Sequence, residues 1–495
     1  MRATQVWFGN EQWPSGASPG AFARDVFRIE KCKTDKDRAL AFYKWFLRCM
    51  CRGKLPVSPG FNGMLQTADP LTTLTWGHHQ CTGWGWVAVE AFQANGMKTR
   101  RSVIANSGHT YYEVWYAGED GREGWHAFDP FLGWYFLNER GEVASNEELA
   151  ANPVLATRPH GGPSRVGHHP ERSVCNYPYS TSDNLDIVQQ LYNEETSYDL
   201  QVGQSYENLW RPEVADLAWG DKLYPHGAHC DISLYDESGK PRYPEHHPYW
   251  RHYTWPTPRT DGNSGGQPVR WHGCGALRWR PLLYAESVVA RSAHAIFENG
   301  TVRPSGPNRH CEIWWHIKLP YQATHLRLTP SVHAAGNDLV GFAISPDNGK
   351  SIHTLHWSNG VPPKIITNGA AGPGNEPEGP SVRGAREFWL RLDMSSKSAQ
   401  SPLRVWNLGV TVGYQLNMQI LPRLVPGENN LYLDAGKLEG VRLNAEWAYT
   451  HPRGERTETL STDKAGRVSK RVNPEISTPD EIVMRGCSIR CEAHK

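Results

Sequence analysis

A thiol, an imidazole and a carboxylate occur along residues 78–136 in contexts that would let them act together. The segments are HHQCTGWGWVAVEAFQANG from His78, SGHTYYEVWY from Ser107 and GWHAFDPFLGWYF from Gly124. A sulfur nucleophile must be a thiolate at working pH. It needs an imidazole beside it, and that imidazole needs an orienting acceptor. Cys81, His109 and Asp129 offer these three types in that order. Their chemistry would be attack on a carboxamide carbon, with the histidine protonating the leaving amine.

The surrounding pattern says how they would be positioned. Residues 81–95 read as a helix that ends at Asn95-Gly96, a C-cap signal. Cys81 then sits at the helix start, where free backbone N–H groups and the positive dipole end favour a thiolate. The same N–H groups can donate to an oxyanion. An earlier amphipathic helix is expected over residues 35–51, with Leu40, Tyr43, Phe46, Leu47 and Met50 at helical spacing and Asp35 or Asp37 as cap. After residue 98 the period changes to two. Thr99–Ala105, Thr110–Tyr116 and Trp125–Phe128 read as strands, the last two joined at Gly118-Glu-Asp-Gly121. His109 opens one strand and Asp129 closes the next, so antiparallel pairing would bring them within hydrogen-bond reach.

A Cys at a helix start, a His on a first strand and an Asp-Pro on the next resembles the transglutaminase-like superfamily. The details that carry the resemblance are Gln80 before the cysteine, His109-Thr-Tyr-Tyr-Glu-Val, Gly124-Trp125, Asp129-Pro130 and the Tyr43-Lys-Trp45 helix core, over about residues 35–140. The resemblance implies a papain-like Cys81–His109–Asp129 triad. With the strand-rich remainder, the expected fold class is multidomain: an α+β transglutaminase-like N-terminal domain followed by all-β sandwich domains. Two features depart from the pattern. Thr82-Gly83-Trp84-Gly85-Trp86 is richer in glycine than a helix favours, which suggests a close approach of substrate with Trp84 and Trp86 beside it. For the second oxyanion donor, Trp76 and Gln80 are the candidates.

The expected domain boundaries are 1–155 for the triad domain, 156–279 for an irregular aromatic- and histidine-rich region, 280–415 for a β-sandwich and 416–495 for a small β unit. In the second region, His246, His247, Tyr249, Trp250, His252 and Tyr253, with Trp271 and His272 beyond, are candidates for a substrate wall. Strands are expected at Glu312–Leu319, His325–Leu328, Asp338–Ile344, Ile352–His356, Glu387–Leu392, Leu403–Val412, Asn430–Asp434 and Val441–Thr450, with a hairpin around Asp463–Gly466.

Composition bounds the partners. Charged residues are 21% of the chain and the formal net charge is +1, without a long run of one sign. Neither nucleic acid nor an anionic membrane is the expected partner, and no apolar stretch is long enough for a transmembrane helix. The ten cysteines contain no CxxC pair, which removes zinc-ribbon spacing. His78, His79 and His126 are not expected to converge on an ion, so neither a metal nor another cofactor is expected. A cytoplasmic location is the expectation for the sequence as it stands, and a secreted or periplasmic one if a signal peptide has been removed. The 21 tryptophans and 22 histidines suit a surface that covers the C–H face of a sugar, although tryptophan also fills β-sandwich cores.

Three functional readings remain at this level. The first is a thiol enzyme acting on a peptide amide or on the amide of a glycoconjugate, by hydrolysis or acyl transfer. The second is a polysaccharide lyase using His and Tyr residues on a uronate-containing glycan. The third is a non-catalytic glycan- or protein-binding protein. The sequence does not fix an oligomeric state.

Overall fold

A computed structural model describes residues 1–52, 59–60, 63–64, 69–79, 81–104, 109–131, 133, 135–157, 159–160, 179–182, 195–209, 272–283, 289–368, 381–382, 384–462, 466–478 and 481–494. The described chain is mostly β, built from several sheets. This corrects the expected fold class: the first segment is not an α+β papain-like N-terminal domain with sandwich domains strung after it. The physical reason lies in the first strand, β1 (Arg2–Asn10). It pairs with Asn429–Glu439 on one side and with Tyr198–Gln201 on the other. The backbone groups of the chain's beginning are thus satisfied by strands some 200 and 430 residues later, and strand pairing crosses every boundary drawn from the sequence.

Among the described residues, the largest sheet has ten strands, drawn from residues 204 to 493. A five-stranded sheet built from Arg291–Ala293, Cys311–Lys318, Leu339–Ser345, His353–Asn359 and Glu387–Ser395 packs against it. Alternate residues of the two sheets interdigitate in one core. Ile313, Trp315, Phe342, Leu390 and Leu392 face Leu326, Leu328, Val410 and Val412, all buried, as a β-sandwich requires. Trp315 and Trp447 are among the largest fully buried side chains, so these tryptophans belong to the core and not to a sugar-facing surface.

The helices gather around residues 19–151. Helix α1 spans Pro19–Ile29 and α2 spans Asp35–Cys49. Thr34 caps α2, not Asp35 or Asp37 as expected; Asp37 is its partner three residues on in a full capping box. Helix α3 is Pro70–Trp76 and α4 is Cys81–Gln93. A four-stranded antiparallel sheet holds Tyr179–Ser182, then β2 (Thr99–Ile104), β3 (His109–Ala117) and β4 (Glu123–Phe128). Phe42, Phe46, Trp84, Phe92, Tyr112 and Phe128 form the buried contact between helices and sheet. Helix α5, Asn146–Ala151, closes the edge.

Side chains of the β body reach into the helices. Asn417, at the end of strand Arg404–Asn417, donates its Nδ2 to Cys49 O at 2.9 Å and to Leu74 O at 3.1 Å. These are carbonyls at the C-terminal ends of α2 and α3, which lack intrahelical partners. Gln322 donates to Thr72 Oγ1 and Arg386 to Thr75 Oγ1. The sandwich thereby fixes the helix that leads into Cys81. The strand Arg467–Val472, expected to form a hairpin with its predecessor across Asp463–Gly466, pairs instead with Asn429–Glu439; residues 463–465 lie outside the described chain.

Candidate active site

Helix α3 ends at Gly77, whose φ of +75° is the left-handed geometry that glycine tolerates at a helix end. Two residues later His79 turns its ring back over the start of α4, and its Nδ1 accepts the Gly83 N–H at 3.1 Å. A methyl group on Gly83 would lie 2.3 Å from the His79 ring. A methyl on Gly85 would lie 3.0 Å from Thr110 Cγ2 and 3.2 Å from Arg101 Cγ. The glycines of Thr82-Gly83-Trp84-Gly85-Trp86 are therefore spent on His79 and on strands β2 and β3, not on approach to a substrate.

The sulfur, the ring and the carboxylate converge. His109, first residue of β3, directs Nε2 at Asp129 Oδ2 at 2.6 Å. Asp129 follows β4 and is 5% exposed. The Cys81 side chain hydrogen-bonds to His109, and with Nε2 engaged, Nδ1 is the nitrogen left for the sulfur. The backbone N–H of Thr110 also donates to the thiol. Phe131 packs against the His109 ring at 5.8 Å and against Trp84 edge-on at 5.8 Å, walling the imidazole on one side.

The electrostatics follow from this geometry. Burial by itself pushes the Cys81 thiol up. The His109 hydrogen bond and charge and the Thr110 N–H outweigh it, so the thiol lies below its ordinary value. Burial would likewise depress His109, but the Asp129 charge and hydrogen bond, followed by Cys81, raise it to about 10. Both shifts favour a thiolate–imidazolium pair. The other described thiols differ: Cys49, Cys311, Cys487 and Cys491 are buried and pushed up to about 12, chiefly by burial, and Cys32 is raised too.

The expected substrate contacts fare unevenly. Trp84 and Trp86 are 1% and 2% exposed; their place beside a substrate is corrected, because both rings are packed inside. The side chain of Trp76 and the whole of Gln80 lie outside the described residues, as do His246, His247, Tyr249, Trp250, His252, Tyr253 and Trp271. His272 opens the strand His272–Trp279, and its side chain is likewise outside the description. His126 is engaged away from Cys81, His109 and Asp129. Its Nδ1 meets Val143 O at 2.6 Å, its Nε2 meets Tyr116 O at 3.2 Å, and its ring stacks on Tyr116.

Three features escaped sequence reasoning. Arg101, on β2, places its guanidinium 4.5 Å from the Trp86 ring centroid and within electrostatic reach of Cys81. Strand alternation could have put it on the face of Thr110 and Tyr112. On the outer face of the five-stranded sheet, His310, Glu312 and Asp393 come within 4.8 Å of one another, but the Arg391 guanidinium already contacts all three and supplies the positive charge a metal would. Finally, a cleft of about 1350 Å³ runs between α1 and the sheet of β1. Its ionic groups include the pairs Arg467–Glu11, Lys318–Asp199 and Arg28–Asp25, and none of Cys81, His109 and Asp129 lines it.

No family model matches the chain, and no curated protein matches it. One solved structure with partial likeness is the crystal structure of a "putative beta-galactosidase" from Bacteroides fragilis. It is 8% identical, with a TM-score of 0.11, over 46% of this chain and 28% of the other. The chain thus spans little more than a quarter of that protein, and a likeness this slight carries no argument about fold or chemistry.

Proposed function

We propose that this chain is a thiol-dependent enzyme that opens an amide bond by acyl transfer to Cys81. The reading rests on one observation: a thiol held below its ordinary pKa by a histidine that a buried carboxylate, 2.6 Å away, keeps charged. The order Cys, His, Asp-Pro and its resemblance to transglutaminase-like proteins point to the same chemistry.

In the first half-reaction the thiolate attacks the amide carbon, and the carbonyl π electrons move to oxygen. The Gly83 N–H is committed to His79, so the oxyanion falls to the N–H groups of Cys81 and Thr82 at the helix start. The C–N bond then breaks, and His109 gives its proton to the departing amine. A thioester remains on Cys81 and the imidazole is neutral. In the second half-reaction the imidazole takes a proton from water or from an acceptor amine as it attacks the thioester. The acid or new amide leaves and the thiolate–imidazolium pair returns. Asp129 holds the ring throughout and stabilises its charged form.

The test is alkylation with iodoacetamide near pH 6, where an ordinary thiol is almost wholly protonated. Peptide mapping should find Cys81 modified well ahead of Cys32 and of the buried thiols. In Cys81→Ala that fast modification should vanish with the fold intact. Cys81 reacting no faster than Cys32 would refute the reading.

A further inference from the structure

Arg101 is an unusual cation. Its stem crosses the second turn of α4 close over Gly85: the nearest stem carbon is 3.2 Å from where a methyl would be. Its guanidinium rests over the buried ring of Trp86, and its Nε is buried without a hydrogen-bond partner. Among the described residues it forms no ion pair and donates no hydrogen bond. Its neighbour Arg100 is the contrast, with Nε bonded to Glu113 at 2.7 Å and NH2 to Glu147 at 2.7 Å.

A half-buried guanidinium has lost hydration that only an anion or acceptor can replace. Burial disfavours its charge and the nearby Cys81 offsets part of that. A sulfur, however, does not match a flat fork of N–H donors as two carboxylate oxygens do. Among the described residues, nothing fills the fork, which lies within electrostatic reach of Cys81.

We propose that Arg101 is a substrate-binding residue that receives a carboxylate carried by the substrate close to the carbonyl that Cys81 attacks. The inference deepens the thiol-enzyme reading and rests on it. It restricts substrates to amides bearing a carboxylate near the acyl carbon. It assigns Arg101 to recognition and leaves activation of the thiol to His109.

The probe pair is iodoacetate and iodoacetamide, which deliver the same alkylation to sulfur with and without a carboxylate. In the wild-type chain, iodoacetate should modify Cys81 faster than iodoacetamide, with saturation at rising concentration. Arg101→Met keeps the apolar stem over Gly85 and Trp86. It should slow the iodoacetate reaction about tenfold or more, the loss of one charge-assisted pairing, and slow iodoacetamide far less, by no more than the small upward shift of the Cys81 thiol that loss of a nearby positive charge brings. Arg101→Lys should retain part of the preference. Equal slowing of both reagents with an upward shift of the pH profile would make Arg101 a thiolate stabiliser and overturn the inference. So would a wild-type chain that shows no preference for iodoacetate, while leaving the thiol-enzyme reading standing. Slow reaction with both reagents in the wild-type chain would overturn both.

Discussion

The Nδ1 atom of His79 accepts the Gly83 N–H at 3.1 Å, so a side chain four residues upstream caps the helix that begins near Cys81. The pairing demands glycine at 83, because a methyl there would meet the imidazole at 2.3 Å. Gly83→Ala should therefore destabilise the chain by about 1–3 kcal/mol through overpacking, despite alanine's better helix propensity. His79→Ala should cost about 1 kcal/mol as a lost cap. Denaturant unfolding of the two variants checks this; a Gly83→Ala chain as stable as wild type would contradict the close packing.

Asp129 acts on the site through charge. Asp129→Asn keeps the shape and removes the anion that holds His109 in its charged form. The imidazolium weakens, the thiolate loses its partner, and alkylation of Cys81 near pH 6 should slow about tenfold or more. Stability should follow the same linkage. The folded His109 value is raised to about 10, above the ordinary 6.5 or so. The stabilisation is then fully present below about 6.5 and lost as pH rises through about 10. The melting-temperature gap between wild type and Asp129→Asn should be widest near pH 6 and shrink toward pH 10.5 or so; a gap that widens with pH would have the wrong sign.

Asn417 is expected to matter at a distance. It serves two buried carbonyls at once, Cys49 O and Leu74 O. Asn417→Ala should cost about 2–3 kcal/mol, because both acceptors lose their donor. Helix α3 then loses an anchor that sets the entry to Cys81, and thiol reactivity near pH 6 should fall as well. Unchanged reactivity in the folded variant would show that the loop from Gly77 to Cys81 is held without this asparagine.

Glu90, on α4, is raised to about 7, first by burial and then by the charge of Asp69. Its folded value lies above its unfolded one, so ionisation works against the fold. The penalty is absent below about pH 4.5, grows between about 4.5 and 7, and is complete above that. Glu90→Gln should melt higher than wild type at pH 8 and close to it at pH 4.5. The reverse order would show that the carboxylate is stabilised in place.

Much of the site was legible in the sequence because its logic is local. The change of period from 3.6 to two after residue 98 marks the passage from α4 to β2, and the Gly118–Gly121 turn joins β3 to β4. A tight turn between two strands brings an opening His109 and a closing Asp129 together almost by itself. Cysteine at the first residue of a helix needs little more. The glycines at 83 and 85 were visible but misread, since nothing nearby reveals that their partners are His79, Thr110 and Arg101.

The sequence by itself determined the helices α2 and α4 and the strands β3 and β4 that bring His109 and Asp129 together, because each depends on periodicity and caps within a few residues. Only the tertiary structure decided the fold class, the burial of Trp84 and Trp86, and the seat of the Arg101 guanidinium over Trp86. These depend on pairings between distant segments, β1 with Asn429–Glu439 and Asn417 with the ends of α2 and α3. A hydrogen-bonding edge or an unmet carbonyl carries no mark in the sequence of the partner that will satisfy it hundreds of residues away.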